Sequence, residues 1–94
     1  MATAKKLGKF TGNDIELCRT TNEKAGNQTV QALVDARIPF TRNSKRIPFF
    51  QRDQYNGARE FTIISINPNR YGQARRVIDQ IDSLYRRRLL VSNY

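Results

Sequence analysis

The chain contains no histidine and only one cysteine, Cys18. Without an imidazole there is no histidine acid–base pair, no Ser-His-Asp triad and no imidazole metal site. A lone cysteine excludes an intramolecular disulfide and a structural zinc site, and it suits a reducing compartment. A catalytic thiol needs a histidine or another cause of a lowered pKa, so Cys18 reads as a small packing residue. No apolar run approaches the roughly 20 residues of a membrane span. Residues 1–13 hold no apolar segment that would serve as a signal peptide, so a cytoplasmic protein with no membrane association is expected. The glycines form neither a Gly-x-x-x-x-Gly-Lys nor a Gly-x-Gly-x-x-Gly phosphate loop. Acidic residues are scarce, 8 against 17 lysines and arginines. Of these, Asp53 and Glu60 lie nearest the basic centre of the chain and read as local partners of Arg52 and Arg59, not as a tuned catalytic pair. The expectation is a non-enzyme with no catalytic residue, no metal and no cofactor.

What is present is one domain's worth of chain. Ninety-four residues with 38% hydrophobic content hold a single modest core and leave polar extensions. Residues 1–13 read as a flexible basic arm broken by Gly8 and Gly12, residues 14–91 as a single α+β domain, and residues 92–94 as a tail. The net charge of +9 is unevenly spread: residues 1–13 carry +3, 14–36 carry −2, 37–60 carry +4, 61–85 carry +1 and 86–94 carry +3. Cations therefore gather in the termini and in the centre, a pattern that suits a polyanionic partner.

Periodicity supplies the elements. Asp14 to Arg19 alternates, with Ile15 and Leu17 on one face and Glu16 and Cys18 on the other, a short half-buried strand. Thr20-Thr21-Asn22-Glu23 matches a capping box, with Thr20 accepting from the Glu23 amide. The helix that follows is expected to run to about Ala36, with Val30, Leu33, Val34 and Ile38 on its apolar face. Gly26 in its interior suggests close approach to a strand, and Pro39 ends it. Phe40 to Asn43 reads as a second strand with a turn or bulge at Asn43-Ser44. Gln51 to Ala58 has turn composition, with Asn56-Gly57 its strongest signal. Phe61 to Ile66 is β-branched and apolar on both faces, as a central strand should be. Asn69 is the expected N-cap of a second helix carrying Ala74, Val77, Ile78, Ile81, Leu84 and Tyr85 at helical spacing, with Asp82 and Arg86 as a surface pair. Leu89-Leu90-Val91 is either a closing strand or the frayed end of that helix.

Strand, helix, strand, strand, helix and a final short strand predict a ferredoxin-like β-α-β-β-α(-β) sandwich, with both helices on one face of an antiparallel sheet. Glu16 to Arg42, with its capped helix and its Ala-Leu-Val-Asp-Ala-Arg-Ile-Pro-Phe exit, resembles the opening of a small bacterial family of prokaryotic signal-transducing proteins. Asn69 to Leu84 resembles that family's closing helix. The resemblance implies a ferredoxin-like fold close to the nitrogen-regulatory PII proteins, and it carries no ligand or site residue. The chain departs from the family at Arg37, where glycine is expected before Ile38, and in its more basic Arg42–Arg59 connection.

That connection is the candidate site. Arg42, Lys45, Arg46, Arg52 and Arg59, joined by Arg70, are the expected polyanion contacts, and Phe49, Phe50 and Tyr55 the expected aromatic contacts. Adjacent strand residues face opposite ways, so one of Phe49 and Phe50 is expected in the core. The first strand carries no aromatic and Arg59-Glu60-Phe61-Thr62-Ile63-Ile64 lacks the basic-Gly-aromatic pattern, which argues against a standard RNA-recognition motif. The expected function is a small basic module that contacts nucleic acid or another polyanion through residues 42–59 and the tails. The alternative is a regulatory, signal-transducing domain that engages a protein partner or forms a homodimer.

Overall fold

The structure, a computed structural model, describes residues 14–93; the basic arm expected at 1–13 lies outside the described residues. The elements run β1 (Ile15–Thr20), α1 (Glu23–Asp35), β2 (Thr41–Arg46), a seven-residue 3-10 turn (Phe49–Tyr55), β3 (Glu60–Ile66), α2 (Tyr71–Asp79), α3 (Ser83–Arg86) and β4 (Leu90–Val91). The protein is thus α+β. Its four strands form one antiparallel sheet in the order β2-β3-β1-β4. The apolar β3 lies in the interior of the sheet, as its two-sided hydrophobicity demands. The C-terminal apolar residues pair with β1 as a short edge strand, Cys18 opposite Val91 and Arg19 opposite Leu90.

A β-bulge changes the strict alternation expected of β1. Glu16 faces Ser65 and Cys18 faces Ile64, so Leu17 is the extra residue between them. The bulge shifts the side-chain phase by one. Leu17 and Cys18 are therefore both buried, while Glu16 comes to the same face as Arg19 instead of Cys18. The core joins Leu17, Cys18, Ile64 and Ile66 of the sheet to Leu33, Ile38, Ala74 and Ile78 from the helical layer. Each large aliphatic side chain buried in it contributes roughly 1.5–3 kcal/mol relative to exposure.

The helices differ in detail from the sequence reading. Thr20 belongs to β1. Its hydroxyl accepts from the Asn22 amide and donates to the Arg88 carbonyl, so it is not the cap. Asn22 is the N-cap, accepting from the Ala25 amide at 2.8 Å. The buried face of α1 is Ala25, Gly26, Thr29 and Leu33, and Val34 is exposed. The chain leaves α1 through Arg37 at φ 60°, with Arg37 N–H donating to Val34 and Ile38 N–H to Leu33, which is a Schellman ending with arginine in the position that favours glycine.

The second helix is interrupted. Asn67, not Asn69, caps the turn that precedes α2. After Asp79 the helix ends, and Asp82 caps α3 by accepting from the Leu84 amide. Asp82 and Arg86 therefore do not pair; the Arg86 guanidinium donates instead to the Asp79 carbonyl at the end of α2. Ser92, assigned by its position to the tail, is bonded into the domain: its amide donates to the Leu17 carbonyl, its hydroxyl to the Glu16 carbonyl, and its own carbonyl accepts from Tyr71 and Arg75.

Candidate polyanion-binding surface

Strand register distributes the predicted site residues over two faces and two ends of the sheet. Arg42 lies opposite Ile64 and on the helix side, where its guanidinium donates to Asn27 of α1 at 3.2 Å. Its charge is displayed beside α1 and not beside the aromatic turn. Lys45 lies opposite Phe61 on the other, open face, close enough to the Glu16 carboxylate to stabilise its charge. Arg46 ends β2 opposite Glu60, and the Arg59 carbonyl accepts from the Ile47 amide at 2.8 Å, so these two arginines stand together where β2 stops and β3 begins. Arg70 follows β3 at its far end, roughly 20 Å away along a seven-residue strand. There it donates to Gln73 and to the Arg37 carbonyl. Arg70 is not part of the same patch, because the rise of β3 separates them.

The aromatic residues separate as well. Phe49 and Phe50 are 81% and 79% exposed, so neither enters the core. The expected alternation fails because this stretch is a 3-10 turn and not a strand: at three residues per turn, successive side chains diverge by about 120° and both can face water. Ile47, two residues earlier, is the buried anchor of the segment. Arg52 lies over the Phe49 ring at 5.7 Å and donates to the Ile47 carbonyl, which ties the turn together. Tyr55 turns inward and meets Phe61 edge-on, with ring centroids 4.9 Å apart. The Asn56-Gly57 signal is a turn, with both residues at positive φ.

The open face of the sheet is occupied by its own residues. Glu16 and Arg19 form a bidentate ion pair at 2.7 and 2.6 Å, and the Arg19 guanidinium also covers Phe61 at 5.1 Å. The hydrogen bonds from Arg19 hold the Glu16 carboxyl below its ordinary range against the opposing effect of burial, with the charges of Arg19 and Lys45 adding to them. The same hydrogen bonds raise Arg19. Phe61, buried beneath Arg19 and in edge contact with Tyr55, is not free to receive a ligand.

Two residues that sequence reasoning did not single out belong with Arg46 and Arg59. The Thr20 hydroxyl bond to the Arg88 carbonyl brings Arg87 and Arg88 to the end of β1, and Thr20 itself pairs with Thr62 beside that same entrance to β3. The signal was the Arg86-Arg87-Arg88 run, but its position becomes meaningful only once β4 is paired with β1. The side chains of Arg46, Arg59, Arg87 and Arg88 are exposed, and none bonds to another described residue. A separate groove of about 460 Å³ runs between α1 and the α2–α3 break, lined by Gln28, Gln31, Asp35, Gln80 and Asp82 among others, with no cation. Its polarity is wrong for an anion. Among the described residues, no cluster of His, Cys, Asp and Glu could hold a metal ion, and no helix is long and apolar enough to cross a membrane. Comparison with protein-family models, with curated proteins and with solved structures finds no match.

Proposed function

We propose that this chain is a non-enzymatic, cytoplasmic module of ferredoxin-like fold that binds nucleic acid or another polyanion. Taken from its other edge the sheet order is β4-β1-β3-β2, and each strand-helix-strand unit spans a strand of the other, which supports the fold assignment. The binding reading is carried by one observation: Phe49 and Phe50 both face solvent in a turn flanked by Arg46 and Arg59, whose exposed side chains bond to no other described residue. Exposing two adjacent phenyl rings on a chain of net charge +9 has no use in the core, and cations beside aromatics suit a polyanion with apolar surfaces.

The test is titration of a fluorescently labelled nucleic acid at several salt concentrations. Affinity is expected to fall steeply between about 50 and 200 mM salt, and Arg46→Ser/Arg59→Ser to flatten that dependence. An affinity indifferent to salt would sink the electrostatic reading. The resemblance to signal-transducing proteins supports a second reading, a self-associating regulatory domain, because the exposed phenylalanines also suit an apolar partner. Light scattering separates the two: a dimer abolished by Phe49→Ala/Phe50→Ala favours self-association, and a monomer that binds nucleic acid favours the first.

A further inference from the structure

We infer that the ligand is a single-stranded nucleic acid lying across one end of the sheet, from Phe49 and Phe50 at the β2–β3 turn to Arg87 and Arg88 at the start of β4. This rests on the polyanion reading and narrows it. The end of the sheet presents, in spatial order, Arg46 closing β2, Arg59 before β3, Thr20 closing β1, and Arg88 leading into β4. Adjacent strands are about 4.8 Å apart, so β2 and β4 are separated by roughly 14 Å, the span of a few nucleotides. Residues far apart in sequence thus form one row of exposed guanidinium groups, none bonded to another described residue. Asp53 in the turn, Glu60 opposite Arg46, and Glu23 in the first turn of α1 are the acids near this end, and the arginines, Arg46, Arg52, Arg59, Arg87 and Arg88, outnumber them.

The phenyl rings decide between single and double strands. A base pair within a duplex is already stacked on both sides and offers no face to a side chain, whereas an unpaired base stacks on any aromatic surface. Arg52 lies against Phe49 and stiffens it, a cation–π contact that leaves the opposite ring face for a base. The divergence of Phe49 and Phe50 along the 3-10 turn lets them receive two separate bases instead of stacking on each other. Phe61 offers bases no aromatic platform on the sheet face, because Tyr55 and Arg19 close over it. No base edge is read by this arrangement, so binding is independent of sequence.

The experiment compares labelled oligothymidine of about eight nucleotides with a duplex of equal length, using the full chain. The single strand is expected to bind more tightly. Phe49→Ala/Phe50→Ala should weaken it by at least about fivefold for each ring that stacks a base. Arg87→Ser/Arg88→Ser should weaken it and lower the slope of log affinity against log salt by about 0.7 for each phosphate no longer neutralised. Arg37→Ser/Arg70→Ser, at the opposite end of the sheet, should change neither, with thermal melts confirming that every variant folds. Equal affinity for duplex, or no effect of the phenylalanine changes, overturns the single-strand assignment while leaving polyanion binding intact. An unchanged slope in the Arg87/Arg88 variant overturns the path across the sheet end. Failure of both nucleic acids to bind at low salt overturns the nucleic-acid reading on which this inference rests.

Discussion

At the scale of single residues, burial gives Cys18 a chemistry it would not have in water. The thiol sits in the core, and desolvation, aided by the nearby Glu16 charge, pushes its pKa up to about 12 from an ordinary 9.0. The folded protein therefore keeps its proton where the unfolded chain has lost it. Stability from this group is complete below pH 9 and declines as pH rises, by about 1.4 kcal/mol per unit until the folded thiol itself ionises. Urea unfolding of wild type and Cys18→Ala at about pH 8 and about pH 10.5 checks this: the wild type should lose more stability than the variant, the difference cancelling the tyrosines and lysines they share. The native thiol should also resist maleimide labelling. The absence of histidine pointed to an inert Cys18, but its burial could not be read from alternation. The Leu17 bulge moved it into the core, and nothing in Ile-Glu-Leu-Cys announces a bulge.

At the scale of elements, two backbone positions in and after α1 make opposite demands. Gly26 faces the sheet, but a Cβ built there would meet Thr20 Cγ2 at 3.5 Å and Thr62 Cγ2 at 3.8 Å, ordinary contact distances. The approach to the strands is thus less close than a helical glycine suggested. Gly26→Ala should stabilise the protein by about 0.5–1 kcal/mol, because alanine fits and orders the helix. Arg37 is the reverse case. It occupies the left-handed region at φ 60°, where a side chain is strained, and Arg37→Gly should raise stability by about 1 kcal/mol. Thermal melts of the two single variants test both signs. The positive φ at Arg37 is not legible in the chain itself, because arginine carries no signal for it. Other boundaries were illegible for a physical reason. Thr20, Thr21 and Asn22 are all competent caps, and the choice depends on where β1 stops. The apolar spacing from Ala74 to Tyr85 runs straight through the break at Asp82, so periodicity alone could not locate it. β3 was legible throughout, since its apolar residues on both faces have only one stable location.

At the scale of the whole molecule, the sheet converts a scattered basic sequence into an arrangement of charge. Arg42 and Arg70, grouped with the turn by sequence proximity or composition, are held beside α1 and at the far end of β3. Arg87 and Arg88, which no local pattern links to the turn's phenylalanines, join them through β4 pairing. Half of the candidate surface was thus visible as composition, and the other half needed topology. That second half depends on the smallest element in the molecule. β4 has two residues, and beyond its ladder it is tethered by the Thr20 hydroxyl on one side and by the bonds of Ser92 on the other. So short an edge strand opens locally at a fraction of the global free energy. Its amides, from Leu90 to Ser92, should exchange with deuterium well before those of Cys18 and Ile64 in the sheet interior. Each opening would carry Arg87 and Arg88 away from Arg46 and Arg59. An oligonucleotide bound as proposed would close this motion, and the same amides should then exchange more slowly. The rate at which a two-residue strand unzips would in that case set how long the protein holds its ligand.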